Sequence, residues 1–363
     1  MRLIVVGGFL GAGKTTLLAE AARRLARRGH SVGLITNDQV PDLVDTAVLT
    51  HTGAAVREVA GSCFCCNFKG FLDAVRSLEE TGADCIVAEP VGSCTDLSAT
   101  ILQPLKEKYP QYALAPLSVL VDPQRVRAVF QNERSMLDPD AAYILRVQLE
   151  EADQVALSKC DTLSDAERDV MLAYLRQEFP HAPARALSTR SGDGIDAWID
   201  DMCRESKSGT RVVNVDYDRY AHGEAVLGWL NAVASLRWIG GLEPDWKEFV
   251  NGLFAELQRE LREKRCEVGH VKALLDTTDG RIAANLTGLN NAFDANADGA
   301  LSRLNATLIM NARVQIAPDG IDVIFRDALK RASYARVAPT ITAFHCISPG
   351  RPVPTYRYGN VVG

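Results

Sequence analysis

Eight consecutive residues near the start of the chain, Gly8-Phe9-Leu10-Gly11-Ala12-Gly13-Lys14-Thr15, satisfy the pattern G-x4-G-K-[ST]. A chain that sets this pattern between a strand and a helix has few folds open to it. The residues before it, Leu3 to Val6, are apolar and mostly β-branched; those after it, Lys14 to Arg28, have helical period and are stopped by Gly29. In such a loop the backbone of Gly8, Gly11, Ala12, Gly13, Lys14, Thr15 and Thr16 curls its N–H groups around phosphate oxygens at a helix N-terminus. Lys14 reaches the terminal phosphates as a candidate catalytic residue, and the Thr15 hydroxyl is a candidate Mg²⁺ ligand. A nucleoside triphosphate is the expected ligand.

The rest of the first 205 residues follows the same plan. Short strand-like runs at Val32 to Thr36, Cys85 to Ala88, Leu117 to Val121 and Gln154 to Leu157 alternate with helical stretches such as Ser164 to Phe179. That alternation predicts an α/β P-loop NTPase domain on a mainly parallel sheet. At 363 residues the chain exceeds the size of one core, so a second domain is expected. The small polar run Ser206-Lys207-Ser208-Gly209-Thr210 marks a linker over 206–214, with a smaller α+β domain over 215–363. There the pattern predicts an apolar segment at Ala225 to Leu236, a helix at Trp246 to Lys264, and strands at Val268 to Leu275, Arg281 to Leu286 and Ala306 to Ile316. A helix at Ile321 to Ala335 and a last strand at Thr340 to Cys346 follow, and Trp229 and Trp238 are expected to fill the second core.

Further segments speak to the nucleotide. Ser158-Lys159-Cys160-Asp161 ends a strand where GTPases carry N-K-x-D. An aspartate there accepts hydrogen bonds from N1–H and the 2-amino group of guanine, a donor pair adenine lacks, so Asp161 points to GTP. Ser158 stands in place of asparagine and gives one amide contact fewer. Ser188, followed by Ser191-Gly192-Asp193-Gly194-Ile195, is a candidate loop over the base. Upstream, Cys85 to Ala88 runs into Glu89-Pro90-Val91-Gly92, with Glu89 as a candidate catalytic and Mg²⁺-shell residue and Gly92 near the γ-phosphate. Asn37 and Asp38 end another strand and lead into a loop containing Asp45, the expected nucleotide-sensing switch; a simple Asx turn is the alternative for that pair.

Between the switch and Glu89 sit Cys63, Cys65 and Cys66. Three thiolates this close favour a soft or borderline ion such as Zn²⁺ or Cu(I), and Gly61 and Ser62 supply the turn that lets them converge. Three protein ligands leave a fourth position open, so a metal so held is also transferable. A redox pair or buried packing cysteines are the alternatives, and Cys94 is a further candidate ligand. Nine cysteines, an odd number, fit a reducing cytoplasm better than a disulfide framework.

These motifs, in this order, resemble the CobW-type metallochaperone GTPases, relatives of the GTPases that mature urease and hydrogenase. The resemblance covers the first domain well and the second only in outline. It implies that Cys63, Cys65 and Cys66 bind zinc or another thiophilic divalent metal, and that GTP with Mg²⁺ controls delivery to a client metalloprotein. Asn37-Asp38-Gln39 departs from the family's Asn-Glu followed by an aromatic and glycine, and no histidine-rich storage stretch is present. Competing readings are an ATP-dependent kinase or maturation factor, and a binding switch with little turnover.

Other signals are weaker. The net charge of -6 offers nucleic acid no general attraction, and Arg23, Arg24, Arg27 and Arg28 lack interleaved aromatics, so they read as a solvated helix face. Neither nucleic acid nor membrane is an expected partner, since no run is long and apolar enough to span a bilayer; an oligomer remains open. Asp294 to Gly299 copies the first half of a calcium loop, but position twelve is Asn305. Cys266 with His270, and His51, His222 and His345, read as structural or surface residues.

Overall fold

The computed structural model describes residues 1–39, 44–130, 137–241, 243–289 and 292–363. The first sheet is built from β1 (Arg2–Gly8), β2 (Val32–Asn37), β3 (Ala55–Val59), β4 (Cys85–Ala88), β5 (Ala113–Leu114), β6 (Ser118–Val121), β7 (Gln154–Leu157) and β8 (Ala184–Ala186). Its order is β3-β2-β4-β1-β6-β7-β8, with β5 also beside β1, and every pair is parallel. Near-continuous burial of β1, β2, β4, β6 and β7 reflects helices on both faces, as a parallel sheet demands.

Those helices are α1 (Lys14–Arg27), α2 (Val44–Thr50), α3 (Phe68–Glu80), α4 (Gln103–Lys108), α5 (Pro123–Phe130), α6 (Pro139–Glu150), α7 (Asp165–Glu178) and α8 (Ile195–Arg204). Their ends follow local chemistry. Ser164 and Glu167 form a capping box on α7, and the Asn67 side chain caps α3 by accepting from the Gly70 N–H. The order reverses at β1, with β4 and β2 on one side and β6 and β7 on the other. Open α/β sheets bind ligands at the carboxyl ends of strands at such a switch point.

The second sheet is antiparallel, in the order β12-β11-β10-β13-β9-β14. Its strands are β9 (Gly228–Trp238), β10 (Val268–Asp276), β11 (Gly280–Leu286), β12 (Asp294–Gly299), β13 (Asn305–Val314) and β14 (Val337–Ile347). After α9 (Tyr217–Ala225), which precedes it, come α10 (Trp246–Glu263) and α11 (Pro318–Ser333), packed on one face of this sheet. Alternate residues Leu230, Ala232, Ala234 and Leu236 of β9 and Val271, Ala273 and Leu275 of β10 point into that core. The other face turns to the first domain.

Several expectations are corrected. Asp45 lies in the first turn of α2, not in a loop; the adjoining part of the expected switch, 40–43, falls outside the described residues. The calcium-like run is strand β12, paired along its length with β11. Trp229 is fully buried in the first core, while Trp238 belongs to the second. Residues 205–216 carry no helix or strand, yet are pinned: Asp153 accepts from the N–H groups of Gly209 (2.6 Å) and Thr210 (2.8 Å). The last residues return to the first domain, where Arg357 pairs with Asp96 and the Tyr356 ring meets Phe68 edge-on. Among the described residues no helix is long and apolar enough to cross a membrane.

Candidate functional site

Gly13 caps α1 with φ of 93°, a left-handed conformation that glycine adopts without penalty, and nothing lies within 4 Å of where a Cβ would stand. Gly11, also left-handed, lets the carbonyl of Gly269 from the second sheet approach to 2.7 Å of its Cβ position. The phosphate loop is therefore covered by β10 on one side and open above Gly13. The cavity it borders encloses about 310 Å³ and is lined by Lys14, Thr15, Thr16, Asn37, Asp38, Asp45, Glu89 and Gly92 from the first domain.

Lys14 Nζ donates to the carbonyls of Gly8 (2.8 Å) and Phe9 (3.4 Å) and lies 3.9 Å from Glu89 Oε1. Burial pulls its ammonium below the ordinary value, partly offset by Glu89. The Thr15 hydroxyl donates to Glu89 Oε1 at 3.2 Å. Burial first, and then the charge of Asp45, push the Glu89 carboxyl up to about 7. Its Oε2 is buried with no hydrogen-bond partner among the described residues. Burial works against the charge of Asp45, but Lys272, Thr15 and Lys14 together hold that carboxyl below its usual value.

Lys272 is one of several cavity residues that the motifs do not disclose. Its Nζ is 2.6 Å from Asp45 Oδ1 and 3.4 Å from Thr15 Oγ1. Arg313 of β13 makes a buried ion pair with Asp38, donates to Asn231 Oδ1 (3.0 Å) and stacks 4.3 Å over the Trp229 ring. Asn311 Oδ1 accepts from the N–H of Val44 at 2.7 Å and so caps α2. His270 completes this face, its imidazole held well below the usual value by burial and then by Lys272, Arg313 and Lys14. The signal was present as period two: His270-x-Lys272 and Asn311-x-Arg313 alternate with residues of the second core. Cys266 precedes β10 and packs in that core, apart from His270.

Ser158, Lys159, Asp161 and Ser188 line no part of this cavity; they gather at the ends of β7 and β8. Ser188 Oγ donates to Asp161 Oδ1 at 2.5 Å and accepts from the N–H groups of Arg190 and Ser191, both at 3.1 Å. Ser158 is buried, its hydroxyl 3.3 Å from the Val121 carbonyl, while Asp161 is exposed.

Asn37 joins the cavity to the cysteines. Its Nδ2 donates to the carbonyls of Val59 (2.7 Å) and Ser62 (2.8 Å), and its Oδ1 accepts from the N–H of Phe64 (2.8 Å). The loop so held brings together the thiols of Cys63, Cys65 and Cys66, all within 4.8 Å of one another. Cys63 and Cys65 are buried, with sulfurs 2.8 Å apart, and half-buried Cys66 lies 3.7 Å from Cys65. The neighbouring thiols, that of Cys65 foremost, hold the Cys63 thiol well below the ordinary cysteine value. On the outer side the N–H of Val353 donates to Cys66 Sγ (3.2 Å) and that of Thr355 to the Cys65 carbonyl (2.8 Å).

Residues 2–185 match the family model described as CobW/HypB/UreG, nucleotide-binding domain. The chain belongs to the CobW/HypB/UreG family. Among solved structures, it is similar to the hydrogenase maturation factor HypB from Archaeoglobus fulgidus, at 17% identity over 55% of this chain and 87% of that one, TM-score 0.40. HypB from Helicobacter pylori in complex with nickel matches at 17% identity over 55% of this chain and 83% of that one, TM-score 0.39. The Zn(II)-bound YjiA GTPase from E. coli matches at 17% identity over 90% of this chain and 98% of that one, TM-score 0.36. In this member of the CobW/HypB/UreG family, Asn37 lines the cavity and also holds the loop that carries the thiols.

Proposed function

We propose that this protein is a GTP-hydrolysing metallochaperone that binds zinc or another thiophilic divalent metal through Cys63, Cys65 and Cys66 and hands it to a client metalloprotein in the cytoplasm. Membership of a nucleotide-binding family that includes HypB and UreG supports the nucleotide part. The observation that carries the coupling is Asn37, which lines the phosphate cavity while its three side-chain hydrogen bonds go to the neighbourhood of the cysteine loop. In this reading residues 1–205 form the nucleotide unit, 206–214 the connection and 215–363 the second unit.

The donor set suits the expected ligands. Backbone from Gly8 to Thr16 and the Lys14 ammonium suit a triphosphate. Thr15 Oγ1 and the unpartnered Glu89 Oε2 suit Mg²⁺, which when bound neutralises phosphate charge. Asp161, oriented by Ser188, offers a carboxylate edge for guanine. Lys14 and Gly92 border the phosphate end, and Lys14 contributes charge stabilisation there. In a Zn²⁺ tetrahedron with metal–sulfur bonds of about 2.3 Å, sulfurs stand about 3.8 Å apart. The Cys65–Cys66 pair already has this spacing, and Cys63–Cys65 must open by about 1 Å.

The test is turnover of GTP and ATP, with and without Zn²⁺, in the parent and in Cys65→Ala. GTP preference, with a zinc response lost in the variant while basal turnover persists, is expected. Preference for ATP, or a zinc response untouched by Cys65→Ala, contradicts the proposal.

A further inference from the structure

Lys14, the phosphate loop's own lysine, is bonded within that loop, to the carbonyls of Gly8 and Phe9. A second lysine borders the same cavity from the other domain. Lys272 stands in the middle of β10, opposite Asn285 of β11 on one side and Asn311 of β13 on the other, and both of these line the cavity as well. The strand is pressed onto the loop. The Gly269 carbonyl lies 2.7 Å from where a Cβ on Gly11 would be, and a Cβ on Gly269 would stand 2.9 Å from Leu10 Cδ1. An ammonium on a flexible four-carbon stem is thus mounted on a rigid base over the phosphate loop.

Its surroundings place it at the far end of the phosphate chain. Nζ lies 2.6 Å from Asp45 Oδ1 and 3.4 Å from Thr15 Oγ1, and the Thr15 hydroxyl in turn donates to Glu89. Asp45 follows β2 and Glu89 follows β4, on one side of β1, whereas Asp161 and Ser188 follow β7 and β8 on the other. A nucleotide with its base at Asp161 therefore points its last phosphate toward Lys272. Arg313, the other strongly basic group on this face, is already paired with Asp38. Lys272 has three N–H donors, and its hydrogen bonds among the described residues are a short one to Asp45 and a long one to Thr15. It can reach a phosphate oxygen without giving up Asp45.

We propose that Lys272 Nζ binds the terminal phosphate of the nucleoside triphosphate, supplied by the second domain of the same chain and positioned by Asp45. This rests on the reading of the cavity as a triphosphate site. The Lys272 side chain is 17% exposed, so it is shielded enough for its charge to act strongly on a polyanion and open enough to be reached. Asp45 keeps the stem aimed at the Thr15 side of the cavity. In this arrangement a diphosphate ends short of Nζ. The contact therefore distinguishes the two nucleotides, and it does so at a residue of the second sheet.

The test is the affinity for a fluorescent non-hydrolysable GTP analogue and for GDP, in the full chain with Mg²⁺. Lys272→Met should weaken the analogue by at least about tenfold and GDP by less than about twofold, the second value also showing that the variant is folded. An unpaired Asp45 carboxylate would itself repel phosphate, so the double variant Lys272→Met/Asp45→Ala separates the two causes. It should bind the analogue as poorly as the single variant does. Recovery to the parent's affinity would assign the loss to Asp45 and overturn the proposal. Equal losses of analogue and GDP, or no loss of either, would overturn it too. A parent that binds an ATP analogue in place of the GTP analogue contradicts the guanine reading alone, and the same variants are then read with that analogue. A parent that binds no triphosphate overturns both this proposal and the nucleotide reading beneath it.

Discussion

Replacing Lys272 by methionine leaves the Asp45 carboxylate beside Glu89 with one of its two neighbouring lysines, Lys14, to offset the pair. Removing one member of a buried ion pair costs about 3–5 kcal/mol, and with both side chains 17% exposed we expect about 1–3 kcal/mol here. Urea unfolding of Lys272→Met without nucleotide reads this directly; an unchanged midpoint would contradict the pairing. Glu151 offers a pH test. Burial first, then the nearby Asp96, raise its carboxyl from 4.5 to about 8. Between those values the folded protein holds a proton that the unfolded chain has lost. Its contribution is thus complete below pH 4.5 and fades as pH rises toward 8. Glu151→Gln keeps an acceptor for the Ser98 N–H, so its urea midpoint should fall less steeply than the parent's from about pH 5 to about pH 8. Parallel curves would contradict the shift.

At the scale of elements, the end of β2 is the hinge of the account. Asn37 spends its side chain on Val59, Ser62 and Phe64, and Asp38 next to it binds Arg313 of β13. Asn37→Ala should therefore weaken Zn²⁺ by about tenfold or more, as removal of supporting hydrogen bonds does, while a fluorescent GTP analogue binds nearly as before. Equal losses of metal and nucleotide would contradict this division of labour. The sequence made β1, β2, β4, β6 and β7 legible because buried parallel strands are continuous apolar runs, and the phosphate loop because its spacing is dictated by phosphate geometry. It did not disclose that the polar face of β10 and β13 lies over that loop. Alternation tells which residues share a face, not what covers it. Asp45 misled because a seven-residue helix carries too little period to stand out from a loop.

Across the whole molecule, the second sheet acts as the roof of the phosphate cavity and the chain's last residues as a strap across the outer cysteines. Three buried clusters support this arrangement, two of them on the first sheet, yet Trp229 near the start of β9 lies in one of those two, and the Arg313 guanidinium lies on its ring while holding Asp38. Such long-range pairings have no local signature, which is why Trp229 was expected in the other core. In the proposed function the occupant of the cavity sets the grip on the metal. The most direct measurement is the Zn²⁺ dissociation constant by chelator competition, with Mg²⁺ and either a non-hydrolysable GTP analogue or GDP. Tighter binding with the analogue, by about 5- to 150-fold, is predicted; equal affinities in the two states would contradict the account.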